Sequence, residues 1–401
     1  MAVPKLRFKA DDGSNYPDLV EVKIGDVIKE AKRPLDMEDD EKYQLVTVKR
    51  RNEGIVSRGM FYGKDILVKN YYTVKKGDYI ISKRQVIHGA NGIVPPELDD
   101  AIVSNEYMVL SDSNALLAEY LALYSMTKKM YHMFFISSYG VDIEKMFFNV
   151  DDWKKKKIMV PCIKEQQKVV ESFSLIDTVI EKQKETVSAW EERKKGVIQK
   201  LFSQEVRFKA DDGSDFPEWE EKKLKNILKE YKEYSAKDGS YEHVSLTKEG
   251  VVPKSERYER DFLVKDVDKK YRITHLGDIC YNPANLKFGV ICRNKYGDGI
   301  FSPIYVTFKV CKDMLPEFVE MLVTRRDFIE YALKYQQGTV YERMSVNPDD
   351  LLSINVMVPC MAEQKKIADC LVSFDEVIEK QNATLVAWEE LKKGLLQQMF
   401  V

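Results

Sequence analysis

The sequence has little of what marks several common protein classes. Its 401 residues include six cysteines and four histidines, and the cysteines form no CxxC pair and no zinc-like spacing with the histidines. No stretch approaches the roughly 18 uninterrupted apolar residues of a membrane span. The N-terminal segment MAVPKLRFKADDGS also lacks the apolar run of a secretory signal. We therefore expect a cytoplasmic chain with reduced cysteines, no metal and no membrane partner.

Motifs of the common enzyme classes are missing as well. The sequence contains no GxxxxGK phosphate loop, no GxGxxG turn and no GxSxG nucleophile elbow. Residues 282–285 (NPAN) are superficially similar to the Asn-Pro-Pro-aromatic motif of adenine methyltransferases but lack the second proline and the aromatic residue. Residues 17–23 and 217–223 have the residue order of a PD…ExK nuclease, but two intervening residues cannot bring the carboxylates together from separate strands. We expect no catalytic residue and no cofactor.

The charge balance gives no excess of either sign. The chain has 63 basic and 65 acidic residues, a formal net charge of −2. A protein that binds DNA by itself usually carries a basic excess, because neutralising phosphates supplies much of its affinity. If this chain binds DNA, its basic residues must be clustered on one side, or partner subunits must supply the rest.

An internal repeat dominates the sequence. Residues 6–14 read LRFKADDGS and residues 206–214 read VRFKADDGS. Residues 160–202 align without a gap on residues 358–400, with 22 identities in 43 positions. Repeats of this kind indicate that the chain is a tandem duplication of one structural unit.

The longer repeated block has the spacing of a long helix that pairs with another helix. Positions at alternating steps of four and three residues, sustained over several heptads, indicate a coiled-coil seam. Glutamine occupies one equivalent position in each copy, where a polar side chain can fix the register. The predicted seam residues are Val169, Phe173, Ile176, Ile180, Gln183, Val187 and Trp190 in the first helix and Ile367, Leu371, Phe374, Ile378, Gln381, Leu385 and Trp388 in the second.

We expect the two helices to pair with each other in antiparallel directions, as a spacer of about 55 Å at 1.5 Å per residue. The alternative is that each helix packs only on its own domain. The segment at 206–214 follows the first helix, whereas only the N-terminal copy at 6–14 could occupy the same place after the second helix. The order of the repeats therefore predicts a circularly permuted arrangement.

The segments between the repeated blocks, about 31–150 and 231–348, match poorly. Both read as α+β domains with several short strands and one or two helices. The first has predicted strands at 43–48, 71–74, 78–82 and 101–110 and a helix at about 114–135, and the second has predicted strands near 271–281 and 300–310 and a helix near 315–335. Their loops are rich in Arg, Lys, Asn and Gln, the side chains that contact base edges and phosphates. The candidate DNA contacts are Lys49, Arg50, Arg51, Arg58, Lys83, Arg84, Gln85, His88 and Asn91 in the first domain and Arg257, Tyr258, Asn282, Asn285, Lys287, Arg293, Asn294, Lys295, Gln336, Gln337 and Thr339 in the second.

The ordered pair of blocks resembles one known family, the specificity subunits of type I restriction-modification systems. The resemblance rests on the DDGS entry at 11–14, on VPxxxEQxK at 160–168 and 358–366, and on the DxVIEKQ helix that follows each copy. It implies two target-recognition domains, residues 1–157 and 204–355. Each domain would be followed by a spacer helix, residues 158–203 and 356–401.

The resemblance also implies a function for a chain without catalytic motifs. Each domain would read one half of a split target in double-stranded DNA, and the paired helices would set the gap. Two adenine-N6 methyltransferase subunits and the restriction subunits would dock on the chain and supply the catalysis. Two alternatives stay open. A coiled-coil scaffold would bind proteins without reading DNA, and an autonomous metal-dependent nuclease is disfavoured by the motifs.

Overall fold

The computed structural model describes residues 4–235, 240–254, 270–337 and 344–400. It divides into two units. Unit 1 comprises residues 1–188 and 380–401, and unit 2 comprises residues 189–379. Each unit therefore contains one globular domain together with a segment of each long helix.

Unit 1 carries thirteen short strands and the first four helices among its described residues. The strands are β1 (Val20–Lys23), β2 (Lys29–Glu30), β3 (Pro34–Leu35), β4 (Lys42–Val48), β5 (Ile55–Tyr62), β6 (Tyr71–Thr73), β7 (Tyr79–Ser82), β8 (Asn91–Ile93), β9 (Ile102–Ser104), β10 (Tyr107–Ser111), β11 (Ser138–Tyr139), β12 (Phe147–Phe148) and β13 (Lys157–Val160). The helices are α1 (Ile24–Val27), α2 (Ala118–Ser125), α3 (Lys128–Ile136) and α4 (Val150–Lys154), and the long helix α5 (Ile163–Phe202) begins after them.

Unit 2 has a matching set of elements. Its strands are β14 (Glu220–Lys223), β15 (Leu228–Glu230), β16 (Tyr234–Ser235), β17 (Glu242–Leu246), β18 (Val251–Pro253), β19 (Tyr271–Thr274), β20 (Ile279–Tyr281), β21 (Ile291–Arg293), β22 (Gly299–Phe301), β23 (Val306–Val310) and β24 (Asn355–Val358). Its helices are α6 (Pro316–Thr324), α7 (Arg326–Ala332), α8 (Pro348–Ser353) and the long helix α9 (Met361–Met399).

The two domains share one sheet topology. Unit 1 has a four-stranded sheet in the order β2-β10-β7-β8 and a five-stranded sheet in the order β3-β6-β9-β4-β5. Unit 2 repeats both, as β15-β23-β20-β21 and β16-β19-β22-β17-β18. Each unit also has a two-stranded antiparallel sheet, β1 with β13 and β14 with β24, whose second strand directly precedes a long helix. The expected α+β fold, with one scaffold used twice, is confirmed.

Several predicted elements are divided by turns. The predicted strand at 101–110 is two strands, β9 and β10, with a turn at residues 105–106. The predicted helix at 114–135 is also two: α2 ends with Met126 as its C-cap, and the extended Thr127 caps α3 by accepting a hydrogen bond from the Met130 amide at 3.3 Å. The strand at 271–281 and the helix near 315–335 are divided in the same way.

Each domain packs its helices on the four-stranded sheet around large aromatic side chains. In unit 1 the rings of Phe134, Phe148 and Trp153 contact one another with centroids 5.4–5.7 Å apart. In unit 2 the ring of Phe318 on α6 contacts Trp219 and Phe202. Burial of such rings contributes much of a domain's stability. Within the described residues, no helix is both long enough and apolar enough to span a membrane.

The long helices run antiparallel where they meet inside each unit. In unit 1 the Gln183 side chain donates to the Gln381 amide oxygen at 2.8 Å, and Lys392 pairs with Asp177 at 2.5 Å. From Asp177 to Gln183 the residue numbers rise along α5, whereas those of their partners fall from 392 to 381 along α9, so the two helices run antiparallel. In unit 1 the seam residues of α5, Val169, Phe173, Ile176, Ile180, Gln183 and Val187, are buried or half-buried, and so are the last three seam residues of α9, Gln381, Leu385 and Trp388.

Unit 2 contains the complementary segments of the same two helices. Lys194 pairs with Asp375 at 2.5 Å, and the ring of Trp190 lies on that of Phe374 with centroids 5.9 Å apart. Ile367 and Leu371 are buried in the core of this unit, and Ile378 is half-buried. Helix α9 therefore packs on its own domain and also on α5, so the alternative in which each helix packs only on its own domain is wrong.

Candidate nucleic-acid interface

Two turns meet at one end of the unit 1 domain. One joins β4 to β5, and the other, a 3₁₀ turn at Val86–His88, joins β7 to β8. Gly89 closes the second turn with φ = 74°, in the left-handed region that favours glycine. A Cβ on Gly89 would lie 3.1 Å from the Asn52 nitrogen and 3.2 Å from the Arg51 Cα. The glycine therefore allows the two turns to touch.

Backbone hydrogen bonds fix this contact. The amide of Arg51 donates to the carbonyl of His88 at 2.7 Å, and the amide of Asn52 donates to the carbonyl of Gly89 at 2.9 Å. Both residues have left-handed backbone angles, φ = 60° and 57°. Such angles are uncommon for residues other than glycine and cost about 1 kcal/mol or more each. The surrounding hydrogen bonds hold the turn in one strained conformation.

A concave pocket of about 580 Å³ lies beside these turns. Arg50 on its rim pairs with Glu144 at 2.7 Å, and the His88 Nε2 atom lies 3.6 Å from the same carboxylate. The Asn91 side-chain amide donates to the Asn52 amide oxygen at 3.2 Å. The structure therefore brings together four sequence-predicted contacts, and it adds Asn52 and the start of α3. The pocket lining includes Arg50, Arg51, Asn52, His88, Asn91, Thr127, Lys128 and Tyr131.

A second cluster in unit 1 contains three more of the predicted contacts. Arg58, Arg84 and Gln85 line a cavity of about 290 Å³ together with Tyr107. Arg84 bonds to Glu106 at 2.6 Å, and this hydrogen bond raises the pKa of the Arg84 guanidinium, which stays charged.

Two predicted lysines of unit 1 lie outside both cavities. Lys83 extends over the neighbouring turn and donates to the carbonyl of Asn105 at 2.6 Å. Lys49 follows β4 and is exposed. Exposed lysines of this kind can contact phosphate without reading sequence.

Unit 2 has a pocket at the equivalent position, with a different chemistry. About 460 Å³ are enclosed between the β17–β18 turn and the 3₁₀ turn at Leu286–Phe288, which Gly289 closes with φ = 77°. The lining contains the predicted contacts Asn282 and Asn285, and also Thr247, Lys248 and Phe288. Asn282 is buried and accepts the amide of Ala284 at 3.1 Å. Lys287 extends over the Phe288 ring at 5.0 Å.

The predicted contacts at 293–295 lie elsewhere in unit 2. Arg293 is bound by two carboxylates, Glu317 at 2.8 Å and Glu320 at 3.1 Å, and Lys295 pairs with Glu320 at 2.9 Å. Asn294 is fully buried at 0% exposure. Its side chain bonds to Thr274 and to the backbone of residues 296 and 297. The structure gives Asn294 a role in holding this turn, not in an exposed surface.

The remaining predicted contacts cluster less clearly. Gln337 donates to Asp350 at 2.8 Å, and its backbone pairs with Ser345. Gln336 is half-buried at the end of the preceding 3₁₀ turn. Arg257, Tyr258 and Thr339 lie outside the described residues.

Residue types alone missed several side chains of the two pockets. Thr127, Lys128 and Tyr131 reach the unit 1 pocket from α3, which is far away in sequence. Phe288 is 64% exposed and stands 200 residues after His88, so the repeat offset itself could have marked it. In the described part of the chain, no group of His, Cys, Asp and Glu side chains could hold a metal ion.

Comparisons with known proteins find similarity to the specificity proteins of type I restriction systems. Residues 17–188 match the family model of the type I restriction modification DNA specificity domain. The type I restriction enzyme MjaVIII specificity subunit of Methanocaldococcus jannaschii is 24% identical over 434 residues, which cover 97% of this chain and 94% of that protein.

Solved structures share the fold along nearly the whole chain. A chain from a study of complex assembly and conformational transition in the type I R-M system has a TM-score of 0.58 at 15% identity, covering 96% of this chain and 98% of that one. The S subunit of a type I system from M. genitalium gives 0.53 at 12% identity, with 100% and 99% coverage. The HsdS subunit from Thermoanaerobacter tengcongensis gives 0.50 at 15%, with 96% and 97% coverage.

Proposed function

We propose that this chain is a specificity subunit of a type I restriction-modification system, a non-catalytic subunit that reads a split DNA target. One target-recognition domain, residues 1–157, reads the first half-site. The other, residues 204–355, reads the second half-site. The helices between them, residues 158–203 and 356–401, set the number of base pairs in the gap.

The observation that carries this proposal is the pair of equivalent pockets. The domains have the same strand order, yet at the same two turns the pocket of unit 1 is lined by Arg50, Arg51 and His88, whereas that of unit 2 is lined by Lys248, Glu249 and Phe288. A duplicated scaffold with two different polar linings suits two different half-sites. A coiled-coil scaffold that binds only proteins gives no reason for the linings to differ in this way.

The proposal needs partners, because the chain has neither catalytic motifs nor a basic excess. Two adenine-N6 methyltransferase subunits would supply the methylation, and restriction subunits would supply cleavage. These subunits would also contribute basic surface, since a net charge of −2 provides little phosphate neutralisation.

The test is to co-express the chain with the methyltransferase subunit encoded beside its gene and to map N6-methyladenine on a random DNA library. The expected result is a split motif with a fixed gap that disappears when this chain is omitted. A stable protein complex without sequence-dependent methylation would contradict the proposal and favour the scaffold. Magnesium-dependent cleavage by the isolated chain would favour the nuclease.

A further inference from the structure

The two equivalent pockets differ in one respect that bears on which bases they would accept. Each contains a side chain with the donor geometry for a particular base, and that side chain bonds to no described residue. In unit 1 that residue is Arg51, and in unit 2 it is Asn285. Building on the proposed function, we propose that Arg51 reads a guanine in the first half-site and Asn285 reads an adenine in the second.

The backbone around Arg51 holds the residue at the pocket while its side chain stays unoccupied. Its amide is bonded to the His88 carbonyl at 2.7 Å, and its φ of 60° fixes the direction in which the side chain leaves the turn. The neighbouring Arg50 is paired with Glu144 at 2.7 Å. No hydrogen bond or ion pair joins the guanidinium of Arg51 to a residue in the described part of the chain. A strained residue held in place by its surroundings is typical of a binding site.

Guanine is the base that fits an arginine in such a position. A guanidinium can donate two parallel hydrogen bonds to O6 and N7 of guanine in the major groove. The Asn52 side chain beside it has its oxygen engaged by Asn91 at 3.2 Å, which orients the Asn52 NH₂ group as a further donor. A pocket with these donors selects acceptors, and guanine presents two acceptors at its major-groove edge.

Asn285 lies in unit 2 directly before the 3₁₀ turn Leu286–Phe288, at the position that Gln85 holds in unit 1. Its carbonyl accepts the amide of Phe288 at 3.0 Å, so its backbone is part of the 3₁₀ turn. Its side chain makes no cap hydrogen bond and is exposed at the pocket. The neighbouring Asn282 already uses its oxygen on Ala284, at 3.1 Å.

Adenine is the base that matches this amide. The oxygen and NH₂ group of an asparagine pair with N6 and N7 of adenine, one donor with one acceptor. Lys248 also lines this pocket, but it lies 3.7 Å from Glu249, which partly neutralises it. The unit 2 pocket therefore favours a mixed donor and acceptor edge over the two acceptors of guanine.

The experiment maps the methylation motif of the full complex with wild-type chain, with Arg51→Ala and with Asn285→Ala. A lost bidentate contact is worth about 1–3 kcal/mol, which is about 5- to 150-fold in discrimination. We expect Arg51→Ala to relax one guanine position of the first half-site by that factor and to leave the second unchanged. Asn285→Ala should relax one adenine position of the second half-site only.

Two further variants separate base reading from other roles. Arg51→Lys keeps the charge but loses the planar fork, so it should also relax the guanine position even if the alanine variant folds poorly. Lys49→Ala removes an exposed cation of the neighbouring strand end and should weaken methylation evenly at all sequences.

The outcomes keep the two levels of inference apart. If the wild-type complex methylates no split motif, the proposed function fails. If a split motif forms but stays unchanged in the Arg51 and Asn285 variants, the base assignment is wrong and the function stands. An even loss at all sequences with Arg51→Ala would make Arg51 a phosphate contact and would also overturn the assignment.

Discussion

The backbone amide of Leu6 donates a hydrogen bond to the carbonyl of Gln398 at 3.1 Å. The same bond occurs in unit 2, where the amide of Val206 donates to the carbonyl of Lys200 at 3.2 Å. In one unit the two residues are six apart, and in the other they come from opposite ends of the chain. The N-terminal segment therefore occupies, after α9, the place that residues 206–214 occupy after α5, as the order of the repeats predicted.

Both copies of this segment are locked to the start of a long helix by one ion pair. Arg7 bonds to Glu165 at 2.6 and 3.0 Å, and Arg207 bonds to Glu363 at 2.9 and 3.2 Å. Glu363 has a second donor, the Trp219 ring nitrogen at 3.1 Å. For the side chain of Glu165, Arg7 is the only donor among the described residues. The Glu165 carboxylate therefore depends on its arginine for side-chain hydrogen bonds more than the Glu363 carboxylate does.

The first prediction compares the two locks. Arg7→Ala should lower the free energy of unfolding of unit 1 by about 3 kcal/mol, because it leaves the buried Glu165 carboxylate unpaired. Arg207→Ala should cost less in unit 2, by roughly 1 kcal/mol, since Glu363 keeps the Trp219 donor. Urea denaturation, with hydrogen exchange read at the first turns of α5 and α9, measures both losses.

Conservative variants serve as the controls for this comparison. Arg7→Lys and Arg207→Lys should recover part of each loss, because a lysine can still pair with the carboxylate. Equal costs for the two alanine variants would show that the Trp219 hydrogen bond contributes nothing to holding Glu363.

Periodicity predicted the scaffold well because the seam is a local pattern. Residues such as Phe173 and Leu371 recur at helical spacing, and spacing alone decides which face of a helix is buried. The sequence also shows the repeated Glu-Gln pair at 165–166 and 363–364, but it does not indicate what these side chains contact. Gln166 accepts the amide of Leu117 at 2.9 Å and Gln364 accepts that of Leu315 at 2.9 Å, contacts that depend on tertiary structure.

The candidate contacts were harder to predict, since residue type does not determine what a side chain meets. Arg293 has the right chemistry for a base, yet Glu317 and Glu320 on α6 bind its guanidinium. The buried side chain of Asn294 makes its hydrogen bonds to Thr274 and to the backbone of its own turn. Conversely, Tyr131 enters the unit 1 pocket from α3, although it lies some forty residues after Asn91 in the sequence. Such pairings come from the folded chain and have no signature in local composition.

The second prediction concerns pH. Hydrogen bonds from His275 to Glu233 and to Asp298, both at 3.0 Å, raise the pKa of His275 above its usual value of 6.5. Because the folded-state pKa is the higher one, the stabilisation is fully present below about pH 6.5 and is lost as pH rises through the folded-state pKa. Wild type should therefore exceed His275→Gln in stability at pH 6, and the difference should shrink by pH 9.

Other charged groups face His275 and shape the same transition. Asp278 contributes to the raised pKa, and Lys309 lies 3.9 Å from Glu233. Asp298→Asn removes one partner, so the stability difference should disappear at a lower pH than in wild type. Thermal unfolding of wild type, the two single variants and the double variant, across pH 6 to 9, measures how this stability difference changes. A difference between wild type and His275→Gln that does not change with pH would refute the prediction.

The third prediction tests whether the helix pair acts as a ruler. Seven residues inserted after Ser188 and another seven after Glu379 should lengthen both helices by about 10 Å while nearly preserving the buried face. The methylated motif should then keep both half-sites and gain about three base pairs of gap, at 3.4 Å per base pair.

A single insertion is the control for the ruler. Seven residues after Ser188 alone would shift one helix against the other and separate pairs such as Gln183 with Gln381. Methylation should then be lost or the gap should become heterogeneous. If the double insertion changes a half-site, or leaves the gap as it was, the helices do not set the spacing.

The last prediction concerns the carboxylate that occupies the rim of the unit 1 pocket. Glu144 pairs with Arg50 at 2.7 Å and lies 3.6 Å from His88. Both partners of this ion pair are about half exposed, so the bond adds little to folding. DNA phosphate would have to displace Glu144 before it could reach Arg50. Glu144→Gln should therefore raise the affinity of the methyltransferase complex for DNA of any sequence by several-fold at low salt.

The salt dependence identifies the cause of that gain. Releasing Arg50 for one phosphate should steepen the slope of log K against log salt by about 0.9. Glu53→Gln is the matched control, because it removes an equal charge from the same turn, and Glu53 forms no ion pair among the described residues. If both substitutions raise affinity equally, the effect is that of overall charge, and Glu144 does not compete with DNA for Arg50. A gain confined to Glu144→Gln, with the steeper slope, would place Arg50 at the phosphate backbone beside the base-reading Arg51.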